Sequence, residues 1–128
     1  MSIRFVRLGT HRLPGEGLRI GTVRRPPRGV PKTDYASKNY FDVWLPMLAP
    51  SAGLVKLALA TESARDWSRF VSRYRREMAA TDAGALIDTL AAMSHLADFS
   101  VGCYCADESR CHRTILKQLF AERGANIG

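Results

Sequence analysis

With 128 residues, 46% hydrophobic and 24% charged, the chain has enough apolar material to bury a core without disulfides or metals, which excludes a disordered or fibrous protein. No apolar run approaches the roughly 18 residues of a membrane span. The polar start Met1-Ser2-Ile3-Arg4 has no signal-peptide core, so a cytoplasmic protein without a membrane partner is expected. The 19 Lys+Arg against 12 Asp+Glu give a formal charge of +7 and a pI near 9.8. That balance favours anionic partners, whether a small molecule or nucleic acid, and leaves the oligomeric state open.

The segment Ser2 to Leu8 alternates apolar and basic residues and reads as a first strand; Leu18 to Val23 reads as a second. Between them lies a polar loop with Pro14 and three glycines. Arg24 to Lys32 contains three prolines, which remove donors and fix φ, and is therefore a basic loop. Tyr40 to Leu45 is rich in aromatic and β-branched residues and reads as a strand, although Trp44, Leu45 and Leu48 also suit a short helical turn. Ser51 is placed to cap a helix carrying Leu54, Val55, Leu57, Ala58 and Leu59.

A second helix over about 63–78 puts Trp67, Phe70, Val71, Tyr74 and Met78 on one stripe and Arg65, Arg69, Arg73 and Arg76 on the other side. A third, over about 82–96, offers Leu86, Ile87, Leu90 and Met93 to a core, with His95 near its end as a structural residue. His11 lies in the first loop and reads as a surface histidine. Phe99 to Cys105 is a further strand, and a last helix over about 110–123 ends at Gly124. Strands at both ends with helices between and after them make a single α/β domain over 1–128, with a mixed or largely parallel sheet and helices on both faces.

All three cysteines fall between Cys103 and Cys111, beside His112. Cys103 and Cys105 sit too close along an extended chain to pair comfortably, so reduced thiols are expected. The arrangement of strand, loop and helix start lies where open parallel sheets place ligands. A thiol near a helix N-terminus with Arg110 and Arg113 adjacent is biased toward thiolate, which makes Cys111, or Cys105 across the loop, a candidate nucleophile with His112 at hand. Cys103 reads as packing. The same helix start, with Arg110, Arg113 and His112, suits an anion. The Cys-x5-Arg spacing of cysteine phosphatases is absent, and Asp107-Glu108 would repel an anion from the loop itself. The C-x-C-x5-C-H pattern also departs from paired C-x2-C zinc ligands. Two adjacent helical residues diverge by about 100°, so Cys111 and His112 are not expected to share an ion, and neither a metal nor a cofactor is expected.

Pro27-Arg28-Gly29-Val30, Trp44-Leu45 with Leu48-Ala49-Pro50-Ser51, the Trp67-x2-Phe70-x3-Tyr74-Arg75-x-Glu77 helix and Cys111-His112-Arg113 together resemble the YeaO-like family known as domain of unknown function 488. The resemblance covers nearly the whole chain and implies a compact α/β domain with no assigned reaction. Pro26 stands where many of those relatives carry tryptophan.

The favoured reading is an anion-binding pocket built from Arg28, Arg110 and Arg113 with His112, plus a reactive Cys105 or Cys111. Its rivals are a nucleic-acid-binding module using the basic loop 24–32 and the Arg65/Arg69/Arg73/Arg76 face, and a non-catalytic interaction domain that meets a partner through Trp44 or Trp67.

Overall fold

Phe99-Ser100-Val101-Gly102-Cys103 is buried at every position, a condition met only by a strand with neighbours on both edges and cover on both faces. In a computed structural model, which describes residues 1–105 and 110–128, this segment is the inner strand β4 of a four-stranded parallel sheet. It pairs with β1 (Ile3–Arg7) on one edge and β2 (Leu18–Gly21) on the other, and β3 (Val43–Trp44) lies outside β2. Val101 stands level with Phe5 and with Ile20. Parallel strands need long crossovers, and three helices bridge β3 to β4: α1 (Ala52–Leu59), α2 (Ala64–Met78) and α3 (Thr81–Met93). The last helix, α4 (His112–Glu122), follows β4. The Asp107-Glu108 pair that the sequence sets against an anion lies outside the described residues.

The alternation of β4 divides the interior. Phe99 and Val101, with Ile3 and Ile20, form one core with Leu54, Phe70, Ile87, Leu116 and other apolar residues of the four α-helices. Ser100 and Gly102 face the other way. There Arg19, fully buried, holds both Glu16 oxygens at 2.8 Å and donates to the carbonyls of Thr10 and Asn39. The sheet is thus an α/β parallel sheet covered on both faces, by α-helices on one side and by loops with a 3₁₀ turn (Lys32–Asp34) on the other. Gly21 lies directly under the Phe41 ring, where any Cβ would collide.

Helix α2 follows its periodicity. Phe70, Tyr74 and Met78 are buried at i, i+4 and i+8, Trp67 stacks on Phe70 with centroids 4.9 Å apart, and Arg65, Arg69, Arg73 and Arg76 are exposed. Ser63 caps its start by accepting from the Asp66 N–H. Ser51 caps α1 and is itself gripped by Glu77, which accepts from its hydroxyl at 2.5 Å and from its backbone N–H at 2.8 Å. The expected strand over Tyr40 to Leu45 shrinks to Val43–Trp44. Phe41 is drawn inward onto the sheet, Asp42 turns to hold Arg12 and the Arg19 backbone, and Pro46 has no N–H to continue a ladder. Among the described residues no helix is long and apolar enough to cross a membrane.

Candidate functional site

The carboxyl ends of β2 and β4 lie side by side, and the chain leaving each bends over a cavity of about 640 Å³. Parallel sheets place ligands at this end because loops and helix N-termini gather there. One wall is apolar, from Val23, Val55, Ala58, Leu59 and Phe70. The cationic side chains of Arg24, Arg25, Lys56 and Arg110 also line the space, and its thiol end consists of Cys103, Cys105, Cys111 and His112.

The segment after β2 is held carbonyl by carbonyl. The Thr22 carbonyl accepts from His112 Nε2 at 2.7 Å, that of Val23 from Trp44 Nε1 at 2.8 Å, and that of Arg25 from the Tyr104 hydroxyl at 2.9 Å. Arg24 donates back to the carbonyls of Pro50 and Ala49 at the start of α1. Tyr74 donates to the Leu48 carbonyl at 2.6 Å and meets the His112 ring edge-on at 5.6 Å. Of the residues that carried the family resemblance, Trp44, Tyr74 and Glu77 brace the walls, whereas Pro50, Phe70, Cys111 and His112 line the space.

Cys111 is the N-cap of α4, in an extended conformation with φ −128° and ψ 143°, and it is buried with Cys103 among Leu8, Val23 and Phe41. The three thiols lie at one end of the cavity and bias one another's ionisation. Because Cys103 and Cys111 donate toward it, and Arg113 adds positive charge, the Cys105 thiol is pushed down to about 2, well into the thiolate range. The hydrogen bond to Cys105 pushes Cys103 up to about 11, and the same network together with burial raises Cys111. Only Cys105 of the three is exposed.

Burial lowers the pKa of His112 despite its bond to the Thr22 carbonyl, so the ring is neutral at physiological pH. A carbonyl only accepts, which places the proton on Nε2 and leaves the Nδ1 lone pair facing Cys111 Sγ at 4.0 Å. The ligating atoms of Cys103, Cys111 and His112 all lie within 4.8 Å of one another. The divergence expected of Cys111 and His112 does not arise, since the 100° step holds only between two helical residues and Cys111 is extended.

A family model described as the active DUF488-N3 subclade matches residues 3–124. The chain belongs to that family. No curated protein and no solved structure matches it. The YeaO-like resemblance read from the sequence thus agrees with the match.

In this DUF488-N3 chain the residues singled out from sequence are distributed unequally. Cys103, Cys105, Cys111, His112 and Arg110 meet at the cavity. Arg113, one residue further along the helix, is rotated away; it is buried and lines a smaller recess of about 280 Å³ with Arg4 and Lys117. Arg28 is exposed on the basic loop and does not line the cavity, so Arg28, Arg110 and Arg113 are not brought to one place. Cys103 packs as expected and also joins the thiol network. His11 is exposed, and His95, also exposed, lies at 2.9 Å from the Gly124 carbonyl. Sequence reasoning assigned Arg24 and Arg25 to the basic loop without connecting them to the thiols, and it missed Lys56, on a different helix, entirely.

Proposed function

We propose that this protein binds a small anionic molecule with an apolar portion in the cavity, and that it presents the Cys105 thiol to that molecule as a nucleophile. The supporting observation is the meeting, at one end of a space walled by aliphatic side chains and edged by four cationic ones, of three thiols and a neutral imidazole, with only Cys105 exposed. The cations would hold the anionic end, the aliphatic wall the remainder, and Nδ1 of His112 is placed to accept a proton from Cys111 within the network. The family description, an active subclade, agrees with a chemical role.

Anilinonaphthalene sulfonate, an amphipathic anion, is a suitable probe. It should bind the reduced, metal-free protein saturably at one site per chain. The double variant Arg25→Glu/Arg110→Glu should weaken binding by about tenfold or more, because each reversal replaces attraction by repulsion near a low-dielectric wall. Binding that ignores both reversals would contradict the reading.

A second reading rests on α2. Arg65, Arg69, Arg73 and Arg76 are all exposed, form no ion pair among the described residues, and recur about every 6 Å along the helix, a spacing compatible with a phosphate backbone. If that face tracks nucleic acid, affinity for a single-stranded oligonucleotide should fall steeply with salt, and R69E/R73E should abolish it while Cys105→Ser leaves it unchanged. No binding at low salt would remove this role.

A further inference from the structure

Two sulfurs and one imidazole nitrogen within 4.8 Å of one another, with a third free thiol, that of Cys105, lining the same cavity, form a soft-ligand set. Thiolate and imidazole ligands select zinc among the common divalent ions, and three cysteines with one histidine is a known tetrahedral zinc combination. We propose that Cys103, Cys111 and His112 bind a zinc ion at the inner end of the cavity, with Cys105 as the fourth ligand on the cavity side. The proposal deepens the reading of this site given above, and relies on it only for the role of Cys105 toward a bound molecule.

Three features argue for it. The extended N-cap conformation of Cys111 lets neighbouring residues 111 and 112 converge. The bond from His112 Nε2 to the Thr22 carbonyl fixes the tautomer with Nδ1 free, which is the outer-shell arrangement that orients ligating histidines, and the Tyr74 ring holds the imidazole from the side. Cys103 and Cys111 sit among Leu8, Val23 and Phe41, an apolar surround that excludes competing water.

In the binding step the S–H bonds of Cys103 and Cys111 break and their two protons pass to solvent, Cys105 adds as the thiolate it already is, the ion sheds its waters, and three Zn–S bonds and one Zn–N bond form without any change of oxidation state. Tetrahedral geometry at Zn–S of about 2.3 Å requires sulfurs roughly 3.8 Å apart, so Cys103, Cys111 and His112, within 4.8 Å of one another now, contract by about 1 Å, and Cys105 closes on them from the cavity side. A Cys105 thiolate on zinc keeps lone pairs directed at the cavity. A bound anion could therefore meet it as a nucleophile or displace it from the ion.

The test uses the full reduced chain, stripped with chelator and then titrated with zinc ion alone against a competing colorimetric chelator, and separately with cobalt ion alone. One zinc per chain is expected, and cobalt should give the thiolate charge-transfer and intense visible bands of a tetrahedral sulfur site. C111S and H112Q should each lower zinc affinity by more than the roughly 10–100-fold typical of outer-shell changes. C105S, at an exposed position, should weaken binding without unfolding the chain. Zinc retained equally by C111S and H112Q, an octahedral cobalt spectrum, or no retention by the wild-type chain would overturn the proposal. In the last case, anilinonaphthalene sulfonate binding that survives would show that the metal site alone has failed and the cavity reading stands.

Discussion

Cys105 differs from its two partner thiols by position more than by kind: it lies two residues beyond Cys103, past the end of β4, where the chain emerges from cover. Its neighbours are buried and donate to it, so two groups that would be inert alone make the third distinctive. The thiols and His112 were legible as a cluster because they lie within ten residues of one another. Their convergence was not, since it depends on the φ and ψ of Cys111, which composition does not reveal. The same limit applied to Arg113, whose single helical step away from His112 carries it to another recess. Asp42 shows a structural use of charge. Burial would raise its carboxyl pKa, but two bonds from Arg12 at 2.8 and 3.0 Å and the Arg19 backbone N–H outweigh that and hold it below the ordinary value. A depressed folded-state pKa gives stability that is present above the unfolded value near 3.9 and is lost as pH falls through the folded one. Asp42→Asn should therefore cost about 1–2 kcal/mol in urea denaturation at neutral pH. The gap between variant and wild type should narrow as pH falls below the ordinary carboxylate value and through the folded-state one; a gap independent of pH would show that the charge is immaterial.

Among the elements, α2 was the most readable, because a 3.6-residue stripe of aromatic residues admits one solution, and Ser51 announced α1 by capping it. β3 was the least readable, since its length is decided by tertiary demands on Phe41 and Asp42 rather than by propensity. β4 carries the strictest requirement. A Cβ at Gly102 would come within 2.7 Å of the Val6 carbonyl oxygen and 2.8 Å of the Leu8 side chain, both on the neighbouring chain segment. Gly102→Ala should destabilise the fold by about 1–3 kcal/mol, measured by chemical denaturation, with a broader loss of site geometry because Cys103 follows directly. A neutral outcome would mean that β1 and β4 separate more easily than their register implies. Tyr74→Phe should cost about 1–2 kcal/mol by leaving the Leu48 carbonyl without its donor in the core.

At the scale of the whole molecule, the cavity is assembled from segments around residues 23–25, 50–59, 70, 103–105 and 110–112, which meet only when the sheet closes. That is why the α/β class and the strand–loop–helix location could be read from periodicity, whereas Lys56 and the aliphatic wall could not: no local pattern links α1 to the thiols. It also means that site and fold stand or fall together. Labelling of Cys103 and Cys111 should appear only in the cooperative unfolding transition seen by circular dichroism. The most direct test of the central claim is the alkylation rate of each cysteine in the folded, reduced, metal-free protein, followed by peptide mass spectrometry with and without anilinonaphthalene sulfonate. Cys105 should be modified first and alone, and the anion should slow that modification. Equal rates at all three cysteines, or a Cys105 rate unaffected by saturating anion, would contradict the account.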